Sequence, residues 1–363
     1  MNARWAPALL LVPALVYGVV LARGYDGSDY LRGDCAYYFY TATSLLKDRD
    51  LDLSNQLPGG PSRHFDQVSL DRHGRFVPKH PIAMALAAVP FVAALGRAGT
   101  LVFNVAVLLA LVLVLYRLAH HAASPVAAAL AVALTGTLSF LPHYAWNFSP
   151  DLFATLAIAA GFALLAPDKG LGWRDAAGGA MLGLAVAAKP AFICLVPGAL
   201  ILVAAPWRSR LLPAAAGLAV PLVALAALNL HLFGAPHVTA YDRIARLGPH
   251  DIETYTQRDD FRQPVVKGLK RQLRHPTQGL LATSGVTLVS WLGFPWLVRR
   301  HRRLAASAAV GTLALGLFFS TYQLWDSSHY GNRHLMPAVA LAVLPLGALL
   351  DAAAGFFRRP AVA

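Results

Sequence analysis

Written out as apolar and polar positions, the chain is a succession of long uncharged runs separated by short polar breaks, from Trp5 almost to the C-terminus. A helix needs about 20 consecutive, mostly apolar residues to cross the hydrocarbon core of a bilayer. Runs of this kind predict spans at Trp5–Ala22, Ala98–Ala119, Ser124–Phe140, Pro150–Ala166, Asp175–Ala188, Pro190–Ala205, Leu211–Phe233, Gly279–Val298, Leu304–Tyr322 and Leu335–Phe357. The Pro81–Gly96 run is shorter and has proline at its start and in its middle, which predicts an interfacial or half-inserted helix. The expected fold class is all-α: a polytopic transmembrane helical protein of about ten spans. It forms a single membrane-embedded domain over residues 1–363, with short interfacial helices in an outer-face loop.

Composition agrees with the pattern. Hydrophobic residues make up 57 % of the chain and charged residues 13 %, and the mean hydropathy of +0.52 is too high for a soluble domain of this length. The net charge of +13 follows topology. With the N-terminus inside, the short cytoplasmic segments hold Arg4, Arg117, Lys169, Arg174, Arg208, Arg210, Arg299, Arg300, Arg302, Arg303, Arg358 and Arg359, whereas the short outer turns hold almost no Lys or Arg. One missed helix would invert every later loop, so the charge pattern supports the span count as well as the direction. It predicts an integral protein of a bacterial-type plasma (inner) membrane with both termini cytoplasmic. Nucleic acid is not an expected partner, because no soluble basic domain is present to hold it. The first run is expected to act as a signal anchor, since Val20-Leu21-Ala22 is a poor cleavage site. Cys35 falls in an outer loop and Cys194 within a span, so no disulfide is expected.

This topology sends the informative polar sequence to the outer side. One long loop, Arg23–His80, makes up residues 23–97 together with the short helix that follows it; a second occupies residues 234–278. The Pro142–Ser149 and Gln323–His334 turns face the same way. In the first loop, Asp34 opens a segment that would place Tyr37, Tyr40 or Thr41, and Ser44 on one helical stripe, suited to a surface helix with its rings at headgroup level. Asp34 reads either as the cap of that helix or as a catalytic acid or base.

Six elements, in order, resemble the GT-C membrane glycosyltransferases, the superfamily that includes protein O-mannosyltransferases and the enzymes that add aminoarabinose to lipid A. They are Gly33-Asp34 with Tyr37 or Tyr38 and the following Ser44–Asn55 stretch; Pro78-Lys79-His80-Pro81, similar to a Lys-Pro-Pro element; Ser149-Pro150-Asp151; Ala188-Lys189-Pro190; Asn229 with Phe233-Gly234-Ala235-Pro236; and Tyr330-Gly331-Asn332-Arg333-His334-Leu335-Met336-Pro337. The resemblance runs from Asp34 to Pro337. It departs at Cys35, where many relatives have a second acidic residue, so a metal site formed by that pair is not supported and no metal is expected to be required, although a divalent metal, oriented by Asp151, stays open.

The resemblance implies a GT-C-like fold and transfer of a sugar from a polyprenyl-phosphate donor to an acceptor hydroxyl of a glycan, lipid or protein on the extracytoplasmic face. The acceptor hydroxyl must lose a proton as it attacks, and Asp34 is the candidate base. Asp151 is a second catalytic candidate; its alternative is a helix cap. Lys79, Lys189 and Arg333 are candidates to hold the leaving phosphate. Their alternatives are snorkelling for Lys189 and an ion pair with Asp326 for Arg333. Tyr37, His80, His143, Trp325, His329 and Tyr330 are candidate substrate contacts, with Trp146 nearby. His64, Asp66, Asp71, His73 and His80 match no metal-ligand spacing. The second loop is expected to act as a lid or acceptor region. A transporter or flippase would call for charges near mid-bilayer and an internal repeat, and neither is present; a polymerase of lipid-linked glycans is the nearest enzymatic alternative.

Overall fold

The structure, a computed structural model, describes residues 3–24, 30–167, 172–203, 207–248, 251–323 and 330–357. Its helices are α1 (Leu11–Gly24), α2 (Asp34–Lys47), α3 (Ala83–Leu95), α4 (Arg97–His120), α5 (Pro125–Thr137), α6 (Pro150–Leu165), α7 (Gly172–Ala188), α8 (Val196–Leu200), α9 (Trp207–Phe233), α10 (Val265–Arg274), α11 (Leu280–Thr283), α12 (Gly285–Ser290), α13 (Phe294–Arg300), α14 (Arg302–Ser320), α15 (Met336–Leu341) and α16 (Val343–Phe357). Among the described residues, five helical stretches are long and apolar enough to cross a membrane: Trp5–Arg23, Arg97–His120, Arg208–Phe233, Arg302–Ser320 and Arg333–Gly355. The other expected spans are shorter or segmented. Pro125–Thr137, Pro150–Leu165 and Pro190–Val203 are apolar but have fewer than 18 residues, and the Gly279–Val298 run breaks into α11, α12 and α13.

Packing shows which surfaces need a non-aqueous neighbour. In the most apolar window of Arg208–Phe233 only 6 % of residues are buried inside the molecule, and Leu212, Val220, Val223 and Leu230 are at least half exposed. An apolar face of that extent is unstable in water. Where α9 does touch the bundle, backbones nearly meet: a Cβ on Gly217 would lie 1.8 Å from the Ala176 carbonyl oxygen, and one on Gly179 1.9 Å from that of Ala214. Small residues permit this approach, as membrane helix pairs commonly do. Arg210, expected as a loop charge, is instead buried. It donates to the Asp175 carboxylate at 2.9 Å, to Leu165 O at 2.7 Å and to Leu202 O at 3.1 Å, so it joins α9 to α7 and satisfies carbonyls at the end of α6 and in the 201–203 turn.

The all-α expectation fails at one end of the bundle, where the two long loops build a four-stranded antiparallel sheet, in the order β2-β1-β3-β4. The strands β1 (Val68–Leu70) and β2 (Phe76–Pro78) come from the first loop, and β3 (Ile244–Leu247) and β4 (Ile252–Tyr255) from the second. Ser69 pairs with Val77 on one side and with Ile244 on the other. The sheet covers a small core of Leu53, Leu57, Val68 and Ala245, against which Tyr37 and Tyr40 pack. The predicted stripe on α2 therefore faces protein rather than lipid headgroups. Three- and four-residue strands carry too little periodicity to be read from sequence, and the pairing joins segments about 175 residues apart, which local pattern does not encode.

Candidate active site

Beneath the sheet, the starts of α2, α6 and the Arg333–Leu335 turn meet the end of α7 around a cavity of about 490 Å³. Local sequence explains how each side chain reaches it. Gly33 adopts φ +51, a conformation open to glycine, and becomes the N-cap of α2. Asp34 is thereby released from capping. Its carboxylate accepts from Arg333 Nη2 at 2.9 Å and lies 3.5 Å from His80 Nε2. In α6 the N-cap is Ser149, followed by Pro150, so Asp151 is also free to turn inward. The cap readings of both acids therefore give way to ion pairs.

Lys189 precedes a proline, which disfavours helical backbone; with φ −149 and ψ 94 it ends α7 and swings its side chain into the cavity. The ammonium pairs with Asp151 and donates to His334 Nδ1 at 2.7 Å. It also sits over the rings of Phe192 and Phe319, at 5.1 and 5.5 Å. Lys189 therefore does not snorkel to solvent. An ammonium has only donors, so His334 accepts at Nδ1, and its ring is held by stacking on Phe319 at 4.6 Å. Arg333 Nε lies 3.8 Å from Asp151, so one guanidinium bridges both carboxylates. Its expected alternative partner, Asp326, lies outside the described residues, as do Trp325 and His329.

Burial would raise the Asp34 pKa, but the charges and hydrogen bonds of His80 and Arg333 outweigh it and hold the carboxyl well below its ordinary value of 3.8. Asp34 is ionised at neutral pH and is a weak base while Arg333 stays on it. Lys79 lines the same cavity and donates to Asp66 O at 2.7 Å. Burial lowers its pKa, against the raising influence of Asp34, Asp66 and Asp260. Lys79, Lys189, Arg258 and Arg333 against Asp34, Asp151 and Asp242 leave one positive charge in excess, a balance suited to a phosphate. Phe261, Phe318, Phe319 and Tyr322 form an aromatic wall opposite.

Three of the candidate substrate contacts lie elsewhere. Tyr37 is absent from the cavity lining; its hydroxyl meets His64 Nδ1 at 2.8 Å in the core under the sheet. The residue that reaches the cavity from that turn is Tyr38, whose ring lies 5.2 Å from His80. His143 and Tyr330 also do not line it; they pack together at 5.6 Å, with Trp146 4.8 Å from His143. Tyr241, unmarked by any motif, is half-buried and packs against His80, its hydroxyl 3.4 Å from Nδ1. The signal that could have found it is Thr239-x-x-Asp242, a capping box in which Asp242 accepts from Thr239 N and Oγ1, both at 3.0 Å.

The acids of the cavity are held by cations, and the neighbouring thiol is turned away. Cys35, in the position where the resemblance would have a second acid, points away and donates through Sγ to Asn147 Oδ1 at 3.3 Å. Asn104 Nδ2 in turn holds Asn147 O at 2.7 Å. Asp34 and Asp151 are both engaged by Arg333, and Asp242, the third carboxylate of the lining, by Arg258. Among the described residues, no group of three or more His, Cys, Asp or Glu is placed to hold a metal ion.

No family model matches the chain, and no curated protein matches it in sequence. Solved structures do match in shape. ArnT from Cupriavidus metallidurans, bound to undecaprenyl phosphate, superposes with a TM-score of 0.60 at 17 % identity, covering 96 % of this chain and 60 % of that one. The oligosaccharyltransferase of Archaeoglobus fulgidus in its apo form gives 0.54 at 11 % identity, covering 94 % of this chain and 50 % of that one. The same organism's AglB, in complex with an inhibitory peptide and a dolichol-phosphate, gives 0.52 at 13 % identity, over 95 % and 50 %. The chain thus spans 50 to 60 % of the length of these proteins. Its apolar helices and this shape make it an integral membrane protein with the fold of the GT-C glycosyltransferases.

Proposed function

We propose that the chain transfers a sugar from a polyprenyl-phosphate donor to an acceptor hydroxyl at the extracytoplasmic face of a bacterial-type plasma membrane, through about ten spans with both termini cytoplasmic. The observation that carries this reading is a cavity at the polar end of an apolar bundle where Arg333 bridges two carboxylates, one of them also paired with Lys189, with Lys79 beside them. ArnT was crystallised with undecaprenyl phosphate and AglB with a dolichol-phosphate. An apolar cleft lined by Leu225, Leu228 and Leu232 adjoins the cavity at Lys79, His80 and Tyr241, and would receive the lipid tail.

In this reading the acceptor oxygen attacks the anomeric carbon, the carbon–oxygen bond to phosphate breaks, and polyprenyl phosphate leaves with its charge held by Arg333, Lys79 and Lys189. The acceptor proton passes to Asp34. Its weakness as a base comes from the charges and hydrogen bonds of His80 and Arg333. An arriving phosphate shares Arg333, loosens the Asp34 pair and raises the proton affinity of the carboxyl as the hydroxyl approaches.

Lys79 tests the donor site, because its bond is to a backbone carbonyl and not to a carboxylate. Native mass spectrometry of the purified chain should show undecaprenyl phosphate bound, and Lys79→Met should weaken it roughly tenfold or more, the scale of a charge-assisted contact. Absence of binding, or equal binding by the variant, would contradict the reading.

A further inference from the structure

The second loop carries a basic helix that the sugar chemistry does not use. Between Phe261 and Gln278 the sequence has Arg262, Lys267, Lys270, Arg271 and Arg274 and no acidic residue. These five cations lie within twenty residues of the next apolar run, on the side of the membrane that the charge rule disfavours for them under the orientation proposed above. Arg262 pairs with Asp259 and Arg271 donates to Gln263; Lys267, Lys270 and Arg274, exposed to the surroundings, are placed for an anionic partner.

The structure shows how α10 presents them. Gly268 and Gln272 are buried on α14: a Cβ on Gly268 would lie 1.8 Å from Ser320 O, and Gln272 Nε2 donates to Gly316 O at 3.2 Å. At 100° per residue, the face away from α14 divides into two. Val266 and Leu273, 70 % and 39 % exposed, lie 20° apart on an apolar edge. Lys267, Lys270 and Arg274 form an exposed basic face beside it. A helix anchored along one side, with an apolar edge next to a row of cations, matches a bilayer surface, where acyl chains lie directly below phosphates. A soluble acidic partner would leave the apolar edge in water.

We propose that α10 is a dock for anionic phospholipid in the leaflet into which the cavity opens. Lys267, Lys270 and Arg274 take headgroup phosphates while Val266 and Leu273 enter the acyl boundary. The same segment is tied to the cavity wall. Gln263 N donates to Thr321 O at 2.9 Å, Gln323 N to Asp260 O at 2.8 Å, and Phe261 packs 5.1 Å from Phe318. Lipid held at α10 therefore fixes the height of the aromatic wall against the bilayer.

The test uses the full chain in nanodiscs of phosphatidylcholine, with or without phosphatidylglycerol, and follows thermal unfolding. Phosphatidylglycerol should raise the midpoint, K267Q/K270Q/R274Q should lose half or more of that rise, and the charge-preserving K267R/K270R/R274K should keep it. Val266→Ser should reduce the rise through the apolar edge alone. A rise of equal size in the glutamine variant, no rise in the wild type, or a rise reproduced by inorganic phosphate in phosphatidylcholine discs would each overturn the proposal. The proposal rests on the orientation given above for its leaflet and for the charge-rule argument, while the amphipathic geometry of α10 is independent of it. The readout involves no sugar transfer, so its failure would leave the donor site standing, and failure of the donor site would leave this dock standing.

Discussion

Lys189 and Asp151 are both more than 85 % buried at their side chains, and each is the other's nearest opposite charge. Breaking such a pair from one side leaves an uncompensated charge, which typically costs about 3–5 kcal/mol, whereas removing both charges costs far less. Arg333 remains near Asp151 and should hold the loss for Lys189→Met toward the lower figure. Chemical denaturation of the single and double variants should therefore show Asp151→Asn/Lys189→Met closer to wild type than the sum of its parts; simple additivity would mean the pair is not formed. These residues also show what residue type and local spacing could disclose. A lysine before a proline between two apolar runs is conspicuous in sequence, and so are Asp34 and Asp151 at helix starts. Their mutual contacts are not, because Arg333 reaches Asp34 across 299 positions. Tyr37 was misplaced for a related reason: adjacent tyrosines on a helix differ by 100° in direction, and only the packed core under the sheet decides that Tyr38 faces the cavity.

Element by element, apolar period and glycine content proved informative where helices are long and uninformative where strands are short. The Gly-rich run of α7 is explained by its close contact with α9. Gly217→Leu should destabilise the chain by roughly 2–3 kcal/mol, since its side chain would meet the Ala176 carbonyl and overpacking costs of that order are typical. Gly285→Ala, where nothing lies within 4 Å of an added Cβ, should be nearly neutral. Equal effects in unfolding experiments would argue against the α7–α9 packing. The segmentation of residues 280–300 into three short helices, and the pairing of the two loops into one sheet, depend on tertiary contacts that no window of sequence contains.

For the molecule as a whole, the alternation of charge predicts a direction across the bilayer, and the structure gathers the acids and cations of the cavity at one end of the bundle, together with both long loops. A reporter active only outside the cytoplasm should work when fused after Pro58 or Tyr255 and fail after Arg208; the reverse pattern would put the cavity on the wrong side for an outward-facing transferase. The chemistry itself is tested most directly in the cell envelope. Its glycans should be compared by mass spectrometry in cells lacking the chain and in the same cells supplied with wild type or Asp34→Asn at equal abundance. The account predicts a sugar that is missing without the chain, returns with the wild type and stays missing with Asp34→Asn; its return with the variant, or an envelope unchanged by loss of the chain, would contradict it.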